Sequence, residues 1–331
     1  MAITQKTIQS TDLNIVIDNL VLRNLYANTC TPADMGKGVV NSDYQGSARG
    51  TASVGVNRVP RNQLTRRILG GASNGEFIST SAKLLMQNET LALNLLNRID
   101  PIFQVPQAQQ GMLNFSVAEQ IAYNVGGFVQ EQIDKDTLEE IYTKAVTFGA
   151  GLTTAYSNVI KVTIGHNDGS EFAALQKANN YLTNLPANNY DTSAPVAGRC
   201  QVCTQSMYDA YISKNGVSVV GSEFAFKTLV KGVEGYTEDE LISNSAYRGQ
   251  IYGFNTYIAP DAFFPTPNTG KVYAIVTHPI ATTRAMHTEE SRIVPATDFY
   301  GDLWQGAYQY GILCTRPHMV AIIASSDWAT E

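Results

Sequence analysis

The stretch SVAEQIAYNVGGFVQEQIDKDTLEEIYTKAVTF, Ser116 to Phe148, carries apolar residues at Val117, Ile121, Val125, Phe128, Ile133, Leu138, Ile141 and Ala145. Most of these steps are three or four residues, the repeat that lays one apolar stripe along an α-helix. Ser116 followed by Glu119 forms a capping box, in which each side chain satisfies an orphan backbone donor of the first turn. Gly149 then supplies a stop. At ~1.5 Å per residue the helix is roughly 50 Å long, about three times the usual length, and its role is that of a beam. Gly126 and Gly127 stand in its middle, where each glycine costs about 1 kcal/mol relative to alanine. They either allow a bend or let another segment pack closely.

Working upstream, the character changes. From about Thr29 to Gly75, Gly, Ser, Thr, Asn and Ala dominate, and apolar residues come in short β-type runs such as Val54-Gly55-Val56 and Ile68-Leu69. Arg49, Arg58, Arg61, Arg66 and Arg67 fall between Tyr44 and Gly75 with no acid among them. Thr90 to Leu95 then alternates Leu91, Leu93 and Leu95 on one face, as a half-buried strand does, and Pro101 to Val105 reads as another strand. Residues 40 to 113 therefore predict a long, twisted excursion of strands that leaves the body and returns just before the helix. A connection of that length without its own core is functional or disordered. Further upstream, Leu13, Ile17, Leu20, Val21 and Leu25 have helical spacing behind Thr11 or Asp12 as a cap, with a loose arm before them.

Downstream, Ser170 to Leu185 reads as a shorter amphipathic helix that Pro186 ends. A compact α/β pattern follows. Arg199 to Thr204 is predicted as a strand, Ser206 to Ser213 and Glu223 to Val230 as helices, and Gln250 to Ile258 as a pair of strands around Gly253. Lys271 to Thr277 is a buried strand leading to a short helix over Pro279 to Met286. Ser291 to Val294, Trp304 to Thr315 and His318 to Ile323 are strands again.

Composition narrows the function. Apolar residues make up 44% of the 331, enough for a well-packed core, while charged residues are only 16% against a typical ~25%. Amides, hydroxyls and tyrosines fill the gap, and burying them in subunit contacts costs less than burying charges. An ordinary enzyme with a polar surface has the same composition. A net charge of −6 argues against a nucleic-acid-binding body, since phosphate neutralisation needs clustered Lys and Arg. The N-terminus has no signal-like core, and no run approaches the length of apolar residues that spans a membrane. Four scattered cysteines, at 30, 200, 203 and 314, make no disulfide framework, so the chain reads as soluble and made in a reducing cytoplasm.

Candidate chemistry is thin. Cys200 and Cys203 match C-x-x-C, but three residues apart in a strand they face opposite sides, which argues against shared ligation. His287, Glu289 and Glu290 fit no standard metal spacing. The glycine-rich run Gly70 to Gly75 lacks the Lys-Ser/Thr ending and the following helix of a phosphate loop. No nucleophile elbow is present, and His166, His278, His287 and His318 have no Ser or Cys partner at a recognisable spacing. No catalytic residue, metal ligand or cofactor is expected.

The runs RCQVCTQSMYDAYI, GQIYGFNTYIAPDAFF, KVYAIVTHPIATTRAM and DFYGDLWQGAYQYGILCTRPHMVAIIAS together resemble the major capsid proteins of tailed bacteriophages, of the Hong Kong 97-type fold. The matching stretches are Gln205 to Ile212, Gly249 to Ala259, Val272 to Met286 and Gly301 to Ser325. The first half follows the same plan in order: arm, extended loop, spine helix. The resemblance implies an α+β fold with an N-terminal arm and short helix over 1–40, and an extended β-loop over 41–113. It also implies a peripheral domain over 114–195 that includes the spine, an axial domain over 196–288, and C-terminal strands of the peripheral domain over 289–331.

The implied function is a head protein that assembles as pentamers and hexamers of an icosahedral shell around double-stranded DNA. The alternative is an encapsulin-type nanocompartment. The extended loop would lie across a neighbouring subunit, because a solitary two-stranded ribbon is marginal in water. Loop residues Arg49, Arg58, Arg61, Arg66 and Arg67 would meet Glu131, Asp134, Asp136, Glu139 and Glu140 of a neighbour's spine; Glu119 is the sixth spine acid. Gly126 and Gly127 would be a hinge during shell expansion, or a close-packing point. No lysine lies between Lys37 and Lys83, so a loop-tip isopeptide crosslink is not expected. The short arm after Met1 implies a separate scaffold protein, with a portal and a cement protein as further partners. The DNA would be packaged without sequence-specific contacts. No membrane is involved, and the place of assembly would be the host bacterial cytoplasm.

Overall fold

A computed structural model describes residues 29–44, 53–58, 89–106, 115–152, 154–164, 170–185, 194–218, 230–231, 246–295, 297–298 and 301–329. The helix expected at 116–148 is α1, Phe115–Ala150, about 54 Å of rod at 1.5 Å per residue. Its buried positions recur every four residues: Val125, Val129, Ile133, Thr137, Ile141 and Ala145, beside Gln130, Asp134, Leu138 and Tyr142. A four-residue step overshoots one turn by about 40°, so the buried stripe winds around the helix rather than running straight. The helix thereby serves two cores. Val125, Val129 and Ile133 pack with Trp304, Tyr308 and Tyr310, while Leu138, Ile141, Tyr142 and Ala145 belong to the main core. Phe128, expected in the stripe, lies off it and is 59% exposed.

Gly149 lies inside the last turn rather than beyond it. Asn158 explains the glycine: its Nδ2 donates to the Ala145 carbonyl at 2.8 Å, and a Cβ on Gly149 would collide with the Asn158 Oδ1. The helix end is thus capped by a side chain from the loop that follows.

Two sheets flank this rod. A four-stranded sheet has the order β11-β12-β3, with β4 also paired to β12. Its strands are β3 Asn97–Ile99, β4 Ile102–Pro106, β11 Thr282–Pro295 and β12 Gly301–Cys314. Trp304, Tyr308 and Tyr310 alternate along β12 to face α1. The stretch expected as a helix at 279–286 is a single 3-10 turn, Pro279–Ala281, followed at once by β11. His278 and Pro279 do cap a helical turn, His278 Nδ1 accepting from the Ile280 N–H at 3.2 Å. Cross-strand pairing from Thr282↔Cys314 to Met286↔Tyr310 then overrides the helical preference of Ala285 and Met286.

The second sheet is seven-stranded, in the order β5-β13-β10-β6-β9-β8-β7. Its strands are β5 Val159–Val162, β6 Cys200–Thr204, β7 Val230–Lys231, β8 Tyr247–Ile251, β9 Phe254–Ala259, β10 Val272–Thr277 and β13 Ala321–Ser325. β6 and β13 are buried at every position, as strands covered on both faces must be. Helices α2, Ser170–Asn184, and α3, Gln205–Ser218, pack against it. Of the helix expected at 223–230, residues 223–229 lie outside the described residues, and Val230 opens β7. The helix expected at 13–26 also lies outside them. The sheet draws strands from three of the expected segments. β5, from the 114–195 stretch, and β13, from the 289–331 stretch, sit in the same sheet as the strands of 196–288, and β11 runs across the expected boundary at 288/289. The C-terminal residues are shared between the two sheets.

The segment expected as arm is likewise part of the body from Thr29 onward. Val39 and Val40 are fully buried, Tyr257 donates its hydroxyl to the Lys37 carbonyl at 2.7 Å, and Asn41 bridges to Thr283 at the edge of β11. The excursion expected over 40–113 is shorter than that span, since β3 and β4 belong to the body. Its described legs, β1 Ser53–Arg58 and β2 Glu89–Asn94, pair antiparallel. They are not without a core: Val54, Val56, Leu93 and Leu95 pack on Ala285, Tyr44 and Leu313. Gly311 permits that seat, because a Cβ there would run into the Asn94 carbonyl oxygen and lie 3.3 Å from Leu95 Cα. Gly311→Ala is expected to destabilise the protein by about 1–3 kcal/mol, read as a lower urea midpoint. An unchanged midpoint would mean that the hairpin base shifts freely.

Candidate functional site

The solvent-facing row of α1 winds with the same four-residue step. Glu131, Lys135, Glu139, Thr143 and Thr147 are exposed along it, with Glu131 and Glu139 about 12 Å apart by helical rise. Glu140 is partly exposed and stands 4.0 Å from Lys144. The other two expected contact acids face inward. Asp136 accepts from Tyr310 Oη at 2.5 Å and from Gln132 Nε2 at 2.7 Å. Burial, and then this bond to Asp136, push the Tyr310 phenol well above its ordinary pKa.

Asp134 is fully buried and is removed from the contact set. Its carboxylate accepts from Thr29 Oγ1 at 2.7 Å, the Cys30 N–H at 2.9 Å, Gln130 Nε2 at 3.2 Å and Thr31 Oγ1. Arg284 Nη1 reaches the same cluster through Thr31 Oγ1 at 2.9 Å. The acid clamps the incoming chain to α1, a role the sequence does not reveal because all its partners but Gln130 are about a hundred residues away or more. The side chain of Glu119 lies outside the described residues, as do Arg49, Arg61, Arg66 and Arg67. Arg58 ends β1, and of its side chain nothing is described. The proposed arginine–acid contact therefore retains Glu131, Glu139 and Glu140 as surface acids.

α1 runs unbroken through Gly126 and Gly127. Gly126 is buried. At Gly127 a Cβ would have nothing within 4 Å. Beside it lies an open groove of about 500 Å³ between α1 and the turn after β9, flanked by Tyr123 and Phe128, each 59% exposed.

Elsewhere the described polar groups are structural. Arg199 is 2% exposed, yet it donates to Pro195 O at 3.0 Å, Ala194 O at 2.7 Å, Asn179 O at 3.3 Å, Thr183 Oγ1 at 3.0 Å and Asn179 Oδ1. It ties the C-terminal turns of α2 to the start of β6. His278 uses Nδ1 as an acceptor, so its Nε2–H donates to the Ala197 carbonyl at 3.1 Å; burial lowers its pKa, which keeps the ring neutral. Cys30, Cys200, Cys203 and Cys314 are buried free thiols. Burial pushes Cys203 and Cys314 up to about 12, the opposite of an activated cysteine. Among the described residues no three His, Cys, Asp or Glu side chains stand together as a metal site, and no helix is long and apolar enough to cross a membrane.

The architecture is thus one long helix on a β11–β12 ribbon, the paired strands β1 and β2 seated on the ribbon's far side, and a seven-stranded sheet. Solved phage structures match the chain in fold over most of its length. The capsid of Ralstonia phage GP4 matches with a TM-score of 0.59 over 89% of this chain and 88% of its own, at 10% identity. The mature capsid of bacteriophage PhiM1 matches at 0.51 over 89% and 90%, at 9% identity, and the capsid of cyanophage P-SCSP1u at 0.50 over 93% and 87%, at 13% identity. No protein-family model and no curated protein sequence matches the chain. The chain has the fold of phage capsid subunits.

Proposed function

We propose that this chain is a major capsid protein of a tailed bacteriophage, of the Hong Kong 97-type fold, whose copies assemble as pentamers and hexamers of an icosahedral shell enclosing double-stranded DNA. The observation that carries the reading is the match in fold of most of the chain to capsid structures of several phages. The acidic balance supports it, because a wall of mild negative charge does not bind the packaged genome tightly. A separate scaffold and a portal are the partners of this role, and the shell is held by non-covalent contacts or by a cement protein. Assembly takes place in the bacterial cytoplasm. Negative-stain microscopy of the purified protein is the test. Shells of uniform size are expected, and a monodisperse monomer would overturn the reading. Co-purifying nucleic acid distinguishes a genome shell from a nanocompartment carrying protein cargo.

In that shell, Arg49, Arg58, Arg61, Arg66 and Arg67 of one copy meet Glu131, Glu139 and Glu140 of the next. One exposed pair contributes only ~0.2–1 kcal/mol, but a closed lattice repeats it in every copy. Arg66→Glu with Arg67→Glu is expected to abolish or sharply reduce particle yield while the circular dichroism of the unassembled protein stays unchanged. Normal particles from that double variant would remove the contact. Gly126 and Gly127 are either the bend of the spine during shell expansion or its packing point. With alanine at both, a spine hinge predicts expansion slowed about tenfold or more, equivalent to ~1.4 kcal/mol of barrier; unchanged expansion leaves packing as their role.

A further inference from the structure

The chain crosses from the seven-stranded sheet to the ribbon through His278 and the turn Pro279–Ala281, and returns through Thr315 and Arg316. The two crossings are tied together at that turn. The Ala281 carbonyl accepts from the Thr315 and Arg316 N–H groups at 2.9 and 3.1 Å and from Thr315 Oγ1 at 3.2 Å. The incoming segment joins them there: Asn41 Nδ2 donates to the Pro279 carbonyl at 3.1 Å, and the Asn41 N–H to the Thr282 carbonyl at 2.9 Å. One side chain holds the start of the turn. His278, 3% exposed, accepts from the Ile280 N–H through Nδ1 and donates from Nε2 to the Ala197 carbonyl. Gly198 walls it in, since a Cβ there would stand 3.4 Å from Nε2. We infer that His278 is an acid-sensitive latch on this joint between the sheets: the closed joint requires the neutral ring, and acid opens the joint by protonating it.

Both ring partners are backbone groups of fixed polarity, so the closed joint admits one tautomer. An imidazolium carries an N–H on each nitrogen. The new Nδ1–H would face the Ile280 N–H, donor against donor, and the turn would lose its cap. Nor is the charge welcome. Arg199 at the start of β6 and Arg316 in the returning crossing are the charged groups acting on the ring, and both are cations. Burial is the largest influence and works in the same direction, lowering the ring's pKa; the bond to Ala197 alone pulls the other way. The neighbouring thiols, Cys200 and Cys314, are kept neutral by burial. His318, further along the returning crossing, packs on Phe148 with ring centroids 6.2 Å apart. Beyond Gly198, Asp34 and Lys37 of the incoming segment are exposed, and Asp34 Oδ1 already accepts from the Gly36 N–H at 2.8 Å. Once the joint opens, the ring meets water and titrates near ~6.5. The open form then binds the proton more readily than the closed one. The latch therefore holds fully above about pH 6.5 and weakens as the pH falls from there toward the lowered pKa of the closed form. The inference concerns the single chain and does not rest on shell formation.

Hydrogen exchange of the full-length, unassembled protein, expressed as protection factors between pH 7.5 and 5.5, tests it. The amides of Ile280, Thr315 and Arg316 are expected to lose at least about threefold in protection over that range, while the paired strands β10 and β13 keep theirs. His278→Asn puts an amide oxygen in the place of Nδ1, a capping acceptor that does not titrate. In that variant, protection at the three amides is expected to stay constant with pH. Constant protection in the unmodified protein overturns the inference, and so does an equal loss in His278→Asn. A loss shared evenly with β10 and β13 assigns the acid sensitivity to the whole fold and overturns it too. If His278→Asn does not fold, the contrast within the unmodified protein decides: a loss confined to the joint supports the latch, and an even loss or none removes it.

Discussion

Asp134→Ala is expected to lower the stability of the unassembled protein by about 3–5 kcal/mol. The carboxylate is fully buried and satisfies four donors, including the Cys30 backbone N–H, which has no rotamer by which to seek another acceptor. Orphaning a buried donor costs about 1–3 kcal/mol, and bonds to a charged acceptor are at the upper end of the range. Asp134→Asn keeps the volume and one acceptor oxygen but turns an amide NH2 toward the remaining donors. It is expected to lose about half as much. Urea midpoints of the two variants measure this. A loss under about 1 kcal/mol in the alanine variant would mean that water takes over the clamp.

Arg199→Met is expected to be comparably severe, about 3–5 kcal/mol. Methionine replaces the aliphatic stem, so the loss reports the guanidinium rather than the packing. Substituting apolar groups for a buried ion pair can be neutral when both partners go. Here acceptors stay: the carbonyls of Ala194 and Pro195 are backbone and would be left facing an apolar side chain, whereas the Asn179 carbonyl keeps its bond from Thr183 Oγ1. Arg199→Lys is expected to recover less than half of the loss, since one ammonium cannot span acceptors held by a planar fork. Thermal unfolding of the three proteins side by side is the measurement, and full rescue by lysine would show that only the charge matters.

Elements whose partners are local were legible in the sequence. The spine helix was, because its apolar spacing is a property of one segment. So were the alternation of Leu91, Leu93 and Leu95, of which the structure half-buries the first and buries the other two, and the β8–β9 hairpin around Gly253. That hairpin turns through Tyr252 and Gly253, both at positive φ, as a two-residue loop between twisted strands requires. Phe128 was misplaced because a stripe of mixed three- and four-residue steps looks straight, whereas the buried row advances strictly by four and turns away from it.

What the chain alone determined is a long amphipathic rod between a basic, strand-forming loop and a compact α/β half, low in charge and without a catalytic constellation. Periodicity and composition suffice for that, since they depend on neighbours within a few residues. Tertiary structure decided the rest. It made 282–286 a strand by pairing it with β12, and placed the C-terminal strand β13 between β5 and β10. It also converted Asp134 from a surface charge into a buried clamp. Each of these depends on a partner far away in the chain, and the energy of a buried hydrogen bond or a β-ladder is set by that partner rather than by local sequence. The same distance left the groove at Gly127 invisible until α1 and the turn after β9 stood side by side.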